Sequence, residues 1–356
     1  MYQLPLIEVA GSVRACGQAQ GEAMRDLAQA FVAQRRRAAK VYLYERGSRD
    51  LEGLVALGRQ CMDATEAWDP AGIEEHRGIA EGANMDAAEL FTFTNMTDIR
   101  DVLLYGELSA DAEGCTSLLV DRGHSASGDL IAAQTWDLNP TDIDYVVAVH
   151  RRPDTGPETW TVTCAGCQTL VGMNGDGLWV GTTNIKTTDA RIGVPYLSLL
   201  HRAIRYDTSA EALSTIAAAP RAGAHTYWAA DAEQAGMIEC AATAHVRRDL
   251  HDTPLVQTNH CVDPAFVAMQ GEEAGSSTLQ RRATALARLA TGNHDVASIK
   301  ALFADRSDGV DSINRYAEDE QGTATNSCLV AIPAKRELHA CKGPADRGEW
   351  VQLQFG

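Results

Sequence analysis

Apolar and polar residues alternate with two different periods along this chain, and the period changes near residue 114. Before that point, apolar residues recur three to four positions apart, which is typical of amphipathic helices. The pattern predicts a helical segment over 1–114, and the aspartate at 86 is expected to cap its last helix. The predicted helices of this segment are 22–44, 51–67, 70–84 and 86–94.

After residue 114, short runs of Val, Ile, Thr and Trp are bounded by Gly, Asp, Asn and Pro, a pattern that predicts strands. The predicted strands are 116–121, 129–136, 143–151, 158–164, 167–173, 177–184, 225–231, 236–241, 244–249, 254–258, 326–332, 336–342 and 349–355. Helical periodicity returns at 194–205, 209–218, 277–290 and 295–304. Because six strands follow one another without a helix, a doubly wound parallel sheet is disfavoured. The pattern instead predicts an α+β fold, a four-layer αββα sandwich of two antiparallel sheets with helices outside.

Charge and composition exclude several classes of protein. The 356 residues include 31 Lys and Arg against 48 Asp and Glu, a net charge of −17, which disfavours a nucleic-acid partner. No stretch reaches the ~18 apolar residues of a membrane span, and the N-terminus lacks the features of a signal peptide. Nine cysteines, an odd number, are expected to be thiols in a reducing compartment. We therefore expect a soluble, cytoplasmic protein.

The change of period coincides with a Gly-Cys pair, Gly114 and Cys115. If the bond between them were cut, Cys115 would carry both a thiol nucleophile and a free α-amine. An α-amine has a pKa near ~8, so it can accept the thiol proton near neutral pH. Gly114 would also allow the strained backbone geometry that lets the thiol attack the preceding carbonyl. The alternative is an ordinary buried cysteine, since most cysteines are small core residues.

Several short segments, taken with their order and spacing, resemble the acyl-coenzyme A:isopenicillin N acyltransferase family of N-terminal-nucleophile (Ntn) hydrolases. The segments are 75–83 with Asn95, then 114–117, 133–137, 172–178, 182–184 and 258–260. The resemblance implies an inactive precursor that cuts itself before Cys115. The products would be a small chain 1–114 and a large chain 115–356, the Ntn-hydrolase core, which stay associated. Cys115 would then attack an amide or thioester carbonyl and pass the acyl group to water or to an amine.

The resemblance also suggests roles for other residues. Asp137, in a Trp-Asp motif with Trp136, would orient the new α-amine, although an aspartate can simply close a strand before a turn. Asn184 matches the position of an oxyanion-hole amide in the family. If the match to the family pattern is shifted by one residue, Thr183 takes that position instead. Arg281 could hold a substrate carboxylate or support the site, or could be an ordinary helix arginine. Thr116, Trp136, Thr183 and Arg281 are thus candidates for substrate binding or support.

The leading hypothesis is an amidohydrolase acting on a small N-acylated compound, with no metal and no cofactor. An acyltransferase that moves an acyl group from acyl-CoA or an amide to an amine is the first alternative. A non-catalytic binding or scaffold relative is the second, and the oligomeric state, including a homo-oligomer, stays open. No phosphate-binding glycine loop precedes a helix, which disfavours an oxidoreductase.

Overall fold

The computed structural model describes residues 1–104, 114–270 and 273–356. The helices in this part of the chain are α1 (Val13–Ala23), α2 (Arg25–Glu45), α3 (Leu51–Trp68), α4 (Pro70–Gly82), α5 (Ala87–Thr94), α6 (Met96–Leu104), α7 (Tyr196–Ala203), α8 (Ser209–Ala218), α9 (Pro264–Val267), α10 (Ser276–Leu289) and α11 (Val296–Phe303). Its strands are β1 (Leu6–Gly11), β2 (Gly114–Val120), β3 (Ile131–Leu138), β4 (Val146–Pro153), β5 (Thr159–Cys164), β6 (Val171–Asn174), β7 (Trp179–Asn184), β8 (His225–Ala230), β9 (Ala235–Cys240), β10 (His245–Asp249), β11 (Leu255–Gln257), β12 (Ala324–Ile332), β13 (Glu337–Lys342) and β14 (Val351–Leu353).

The described strands form two sheets. One has eight strands in the order β1-β4-β5-β6-β7-β8-β9-β10, and the other has six in the order β11-β2-β3-β12-β13-β14. Side chains of β2 and β7 meet between the sheets, where the hydroxyl oxygens of Ser117 and Thr183 are 2.6 Å apart. The helices α10 and α11 cover the outer face of the six-stranded sheet, and α7 and α8 pack against the eight-stranded sheet. The predicted αββα sandwich is confirmed.

Two expectations about the N-terminal segment are wrong. It is not wholly helical, because β1 joins the eight-stranded sheet and pairs parallel with β4, in a sheet expected to be antiparallel. Only Val9 of this edge strand is buried, so the sequence carries almost no period-two signal there. The predicted helix 22–44 is in fact α2, which begins at Arg25 after a break at Met24. The sequence analysis also missed α1, α6 and α9.

Four glycines allow α1 and α4 to pack backbone against backbone. A Cβ atom at Gly17 would lie 2.1 Å from the carbonyl oxygen of Glu75, and one at Gly21 would lie 2.2 Å from that of Ile79. On the opposite helix, Gly78 and Gly82 approach α1 equally closely, at 2.3 and 2.1 Å from carbonyl oxygens. Real Cβ atoms do not approach backbone this closely, so each of these positions requires glycine.

We expect Gly17→Ala to destabilise the protein by about 1–3 kcal/mol, because the added methyl group forces the two helices apart. The matched control is Gly275→Ala, since a Cβ atom at that position has no atom within 4 Å. Urea unfolding of both variants would check the expectation. Equal unfolding midpoints for the two would contradict it.

Candidate active site

Cys115 is the second residue of β2, and its side chain points between the two sheets. In the pairing of β2 with β3, Cys115 lies opposite Trp136, and Gly114 lies opposite Asp137. Because successive side chains of a strand point to opposite faces, the thiol shares a face with Trp136, whereas the Asp137 carboxylate lies on the other face, towards α10. Cys115 and Trp136 accordingly belong to the core between the sheets. The thiol sulfur lies 4.0 Å from the backbone carbonyl oxygen of Asp137.

The thiol borders a narrow slot of about 20 Å³, which is room for roughly one water molecule. The slot is lined by Thr97, Cys115, Trp136, Asp137, Leu138, Leu170, Thr182, Asn184, Tyr196 and His225. Both side-chain polar atoms of Asn184 are buried and have no hydrogen-bond partner among the described residues. An unengaged amide N–H beside a nucleophile is what stabilisation of an oxyanion requires.

Thr183 does not line this slot. Its hydroxyl is already engaged, since it is 2.6 Å from the Ser117 hydroxyl and accepts a hydrogen bond of 3.2 Å from the indole N–H of Trp228. Of the two neighbours, Asn184 is the one that lines the slot and has an unengaged side chain. The geometry therefore favours Asn184 over Thr183 as the donor to an oxyanion.

Arg281 is fully buried and holds the backbone around Cys115. Its guanidinium donates to the Cys115 carbonyl oxygen, to the Thr116 hydroxyl at 3.2 Å and to the side-chain oxygen of Asn259 at 2.9 Å. Burial lowers the pKa of the Arg281 guanidinium to about 10. It is therefore no ordinary surface residue of a helix, and Thr116 helps to hold it.

Asn259 completes this arrangement and was not singled out from the sequence, although the segment 258–260 contains it. Its side-chain oxygen accepts a hydrogen bond of 2.7 Å from the backbone N–H of Cys115. Its amide group donates to the backbone carbonyl oxygen of Asn184 at 3.0 Å. Asn259 thus connects the nitrogen of Cys115 to the strand that carries Asn184.

Asp137 is buried beside the position of Gly114. Burial raises the pKa of its carboxyl group to about 6, against the opposing effect of the nearby guanidinium groups of Arg281 and Arg315. A Cβ atom at position 114 would lie 2.8 Å from Arg315 Nη1 and 3.2 Å from Asp137 Oδ2. A side chain at 114 would therefore have to displace the Arg315 guanidinium from its place beside Asp137. Nothing in the sequence marked Arg315, because an isolated arginine far along the chain carries no recognisable pattern.

A larger polar cleft of about 280 Å³ is lined by Asn184, Asn259 and Arg281. Asn259 and Arg281 contact the backbone of Cys115. The lining also carries charges of both signs: Lys186, Arg315, Glu273 and Asp311. The rim at Glu273 and Gln321 is exposed to solvent. The cleft therefore gives water and polar molecules access to the groups beside the backbone of Cys115.

Within the described ranges, no group of three or more His, Cys, Asp or Glu side chains could hold a metal ion. The helices in the same ranges are each too short or too polar to cross a membrane.

Comparison with known proteins decides the family. The family described as acyl-coenzyme A:6-aminopenicillanic acid acyl-transferase matches residues 124–346. This chain belongs to that family. The matched range contains Asp137, Asn184 and Arg281 and begins after Cys115. As a member of that family, the chain is an enzyme of the acyltransferase class.

Two solved structures are similar in part. Penicillin V acylase from Agrobacterium tumefaciens is 12% identical, with 67% of this chain and 86% of that chain covered and a TM-score of 0.43. A mutant of the conjugated bile acid hydrolase from Clostridium perfringens is 11% identical, with 68% of this chain and 97% of that chain covered and a TM-score of 0.38.

The raised pKa of Asp137 predicts a measurable dependence of stability on pH. Since the folded protein holds this proton more tightly than the unfolded chain, the stability it contributes below pH 3.8 is lost as the pH rises through about 6. For a group this buried, the loss is on the order of 3 kcal/mol. Urea unfolding from pH 4 to 7 should show it as a difference between Cys115→Ala and the double variant with Asp137→Asn. A difference that stays constant over this range would show that Asp137 keeps an ordinary pKa.

Proposed function

We propose that this enzyme cuts itself between Gly114 and Cys115, and that the freed Cys115 then cleaves the amide bond of a small N-acylated compound. One observation carries the proposal. The backbone nitrogen of Cys115 donates to Asn259 at 2.7 Å, while its thiol borders a slot that contains the unengaged amide of Asn184. The proposed nucleophile, the nitrogen that cleavage would free and the proposed oxyanion donor thus all lie at or beside Cys115.

Cleavage would turn that nitrogen into an α-amine in a position already prepared for it. The Asn259 oxygen would accept a hydrogen bond from the amine, which directs the lone pair of the nitrogen. The Asp137 carboxylate, close to the position of Gly114, would stabilise the amine when it is protonated. The amine would take the thiol proton, and the thiolate would attack the substrate carbonyl to form an acyl-enzyme. Asn184 would donate to the oxyanion.

The products would be the chains 1–114 and 115–356, and buried contacts favour their staying together. The strand β1 pairs with β4 across the two parts. Arg151 of the large chain donates to Glu75 and to Gln20 of the small chain, each at 2.7 Å. Separation would expose this buried ion pair, so we expect the two chains to remain one particle.

The surroundings of Cys115 suggest which parts of a substrate bind where. Apolar side chains of the slot, including Trp136, Leu138 and Leu170, suit the acyl group. The charged cleft suits a polar amine as the leaving group. Because the slot has room for only about one water molecule, the chain must open at the cut before an acyl group can enter.

Hydrolysis is favoured over acyl transfer because the exposed, charged cleft admits water to the acyl-enzyme. Transfer from acyl-CoA to an amine is the second candidate, and the name of the matching family favours it. We also propose a reducing cytoplasm as the compartment, since the nine cysteines are buried and form no disulfide among the described residues.

A denaturing mass spectrum of purified wild-type protein tests the self-cleavage. We expect two fragments that match 1–114 and 115–356, and a single intact chain for Cys115→Ala. Native size-exclusion chromatography should elute both wild-type fragments together. An uncut wild-type chain would overturn the proposal and favour the binding or scaffold alternative.

The role of Asn184 is tested by turnover. A panel of N-acyl amines and N-acyl amino acids, with and without 6-aminopenicillanic acid as an acyl acceptor, would identify a substrate and separate hydrolysis from transfer. On that substrate, Asn184→Ala should lower kcat by about 100-fold or more, because the oxyanion loses its donor. Thr183→Ser keeps the core hydroxyl and should stay near wild type. A kcat for Asn184→Ala within about threefold of wild type would remove Asn184 from the mechanism.

A further inference from the structure

His225 borders the slot and has no role in the function proposed above. His225 is the first residue of β8, directly opposite Asn184 in the pairing with β7, and only 2% of it is exposed. Its ring lines the same slot as the Cys115 thiol. Both residues thus line one slot that has room for only about one water molecule.

The ring of His225 is held in one orientation by Asp98. The Nε2–H of His225 donates to Asp98 Oδ1 at 2.7 Å, and the other carboxylate oxygen of Asp98 accepts the backbone N–H of Tyr196 at 2.8 Å. The Tyr196 ring stacks on the imidazole with ring centroids 4.6 Å apart. With its proton on Nε2, a neutral imidazole has its lone pair on Nδ1. That nitrogen is buried and has no hydrogen-bond partner among the described residues.

The uncut chain needs a proton acceptor that the mature enzyme does not. Before cleavage, the nitrogen of Cys115 is an amide whose N–H donates to Asn259, and an amide is not a base. The Asp137 carboxylate lies on the opposite face of the sheet from the thiol. His225, in contrast, lines the same slot as Cys115, and its partner Asp98 would stabilise the imidazolium after proton uptake.

We infer that His225 accepts the proton of the Cys115 thiol in the uncut chain, directly or through one water molecule, and so starts the self-cleavage. The inference rests on the proposed function. His225 would act as the base only in the uncut chain, because the α-amine of Cys115 takes over that role once the bond is cut. The Asp98–His225 pair joins α6, which precedes the cut, to β8, which follows it.

The steps balance without an oxidant or a cofactor. The thiol proton moves to Nδ1 of His225, and the thiolate attacks the carbonyl carbon of Gly114 to form a carbon–sulfur bond. When the tetrahedral intermediate collapses, the carbon–nitrogen bond breaks, and the departing nitrogen of Cys115 takes the proton back from the imidazolium. Water then hydrolyses the thioester, which leaves a carboxylate on Gly114 and restores the thiol. The net change is the addition of one water across one peptide bond.

The test follows cleavage of the full-length chain during cell-free synthesis, with the cut fraction measured over time by denaturing mass spectrometry. His225→Gln should cut about 100-fold more slowly than wild type, which is the usual contribution of a general base. The matched control is His201→Gln, since His201 is equally buried and lies 3.1 Å from a carboxylate oxygen of Glu75, but does not line the slot. This control should cut within about threefold of wild type.

Chemical rescue separates a proton acceptor from a structural residue. In His225→Gly, added imidazole can occupy the space beside Asp98 and should speed cleavage by about tenfold or more. If imidazole has no effect, the loss in the variants is structural and the inference fails. If wild type cuts and His225→Gln cuts at the same rate, the inference alone fails. If wild type stays whole, the self-cleavage in the proposed function fails, and this inference with it.

Discussion

The site depends on the buried guanidinium group of Arg281. Arg281 has no exposed surface, and its guanidinium ties the carbonyl oxygen of Cys115, the hydroxyl of Thr116 and the side chain of Asn259 together. A buried guanidinium is tolerated only where its N–H groups find acceptors and its charge finds a partner. Here the acceptors are the very groups that define the nucleophile, and the nearby charge is that of Asp137. The hydrogen bonds that the Arg281 guanidinium needs in the interior therefore fix the position of Cys115.

The alternation of β2 and β3 divides the chemistry between two faces of one sheet. The thiol borders the slot, with Asn184 and His225, whereas the Asp137 carboxylate and Arg281 lie on the side of α10. The groups that would interact with the nitrogen of Cys115 thus lie on the opposite face of the sheet from its sulfur. A shift of the strand pairing by one residue would exchange the faces and destroy both arrangements.

The N-terminal segment is part of the fold rather than an appendage. Its first strand extends the eight-stranded sheet, its helices α1 and α4 pack through glycines, and Glu75 and Gln20 pair with Arg151 in the interior. Its helix α6 also supplies Asp98, which holds His225 at the slot. Residues before and after the bond at Gly114 thus build one site together.

The sequence by itself determined the elements whose patterns are local. Helix 209–218 and the N-cap at Asp86 follow from periodicity and capping, and the αββα arrangement follows from the run of strands between helix pairs. The Gly-Cys pair and the Trp-Asp motif also singled out Cys115 and Asp137 as candidates, and the structure places both beside the slot. Tertiary structure alone decided which neighbour borders the slot, Asn184 rather than Thr183, because Thr183 is held by Ser117 of the other sheet whereas Asn184 lines the slot. It alone brought in Asn259, Arg315 and His225, because their contacts join residues far apart in the chain, and no local period records such contacts.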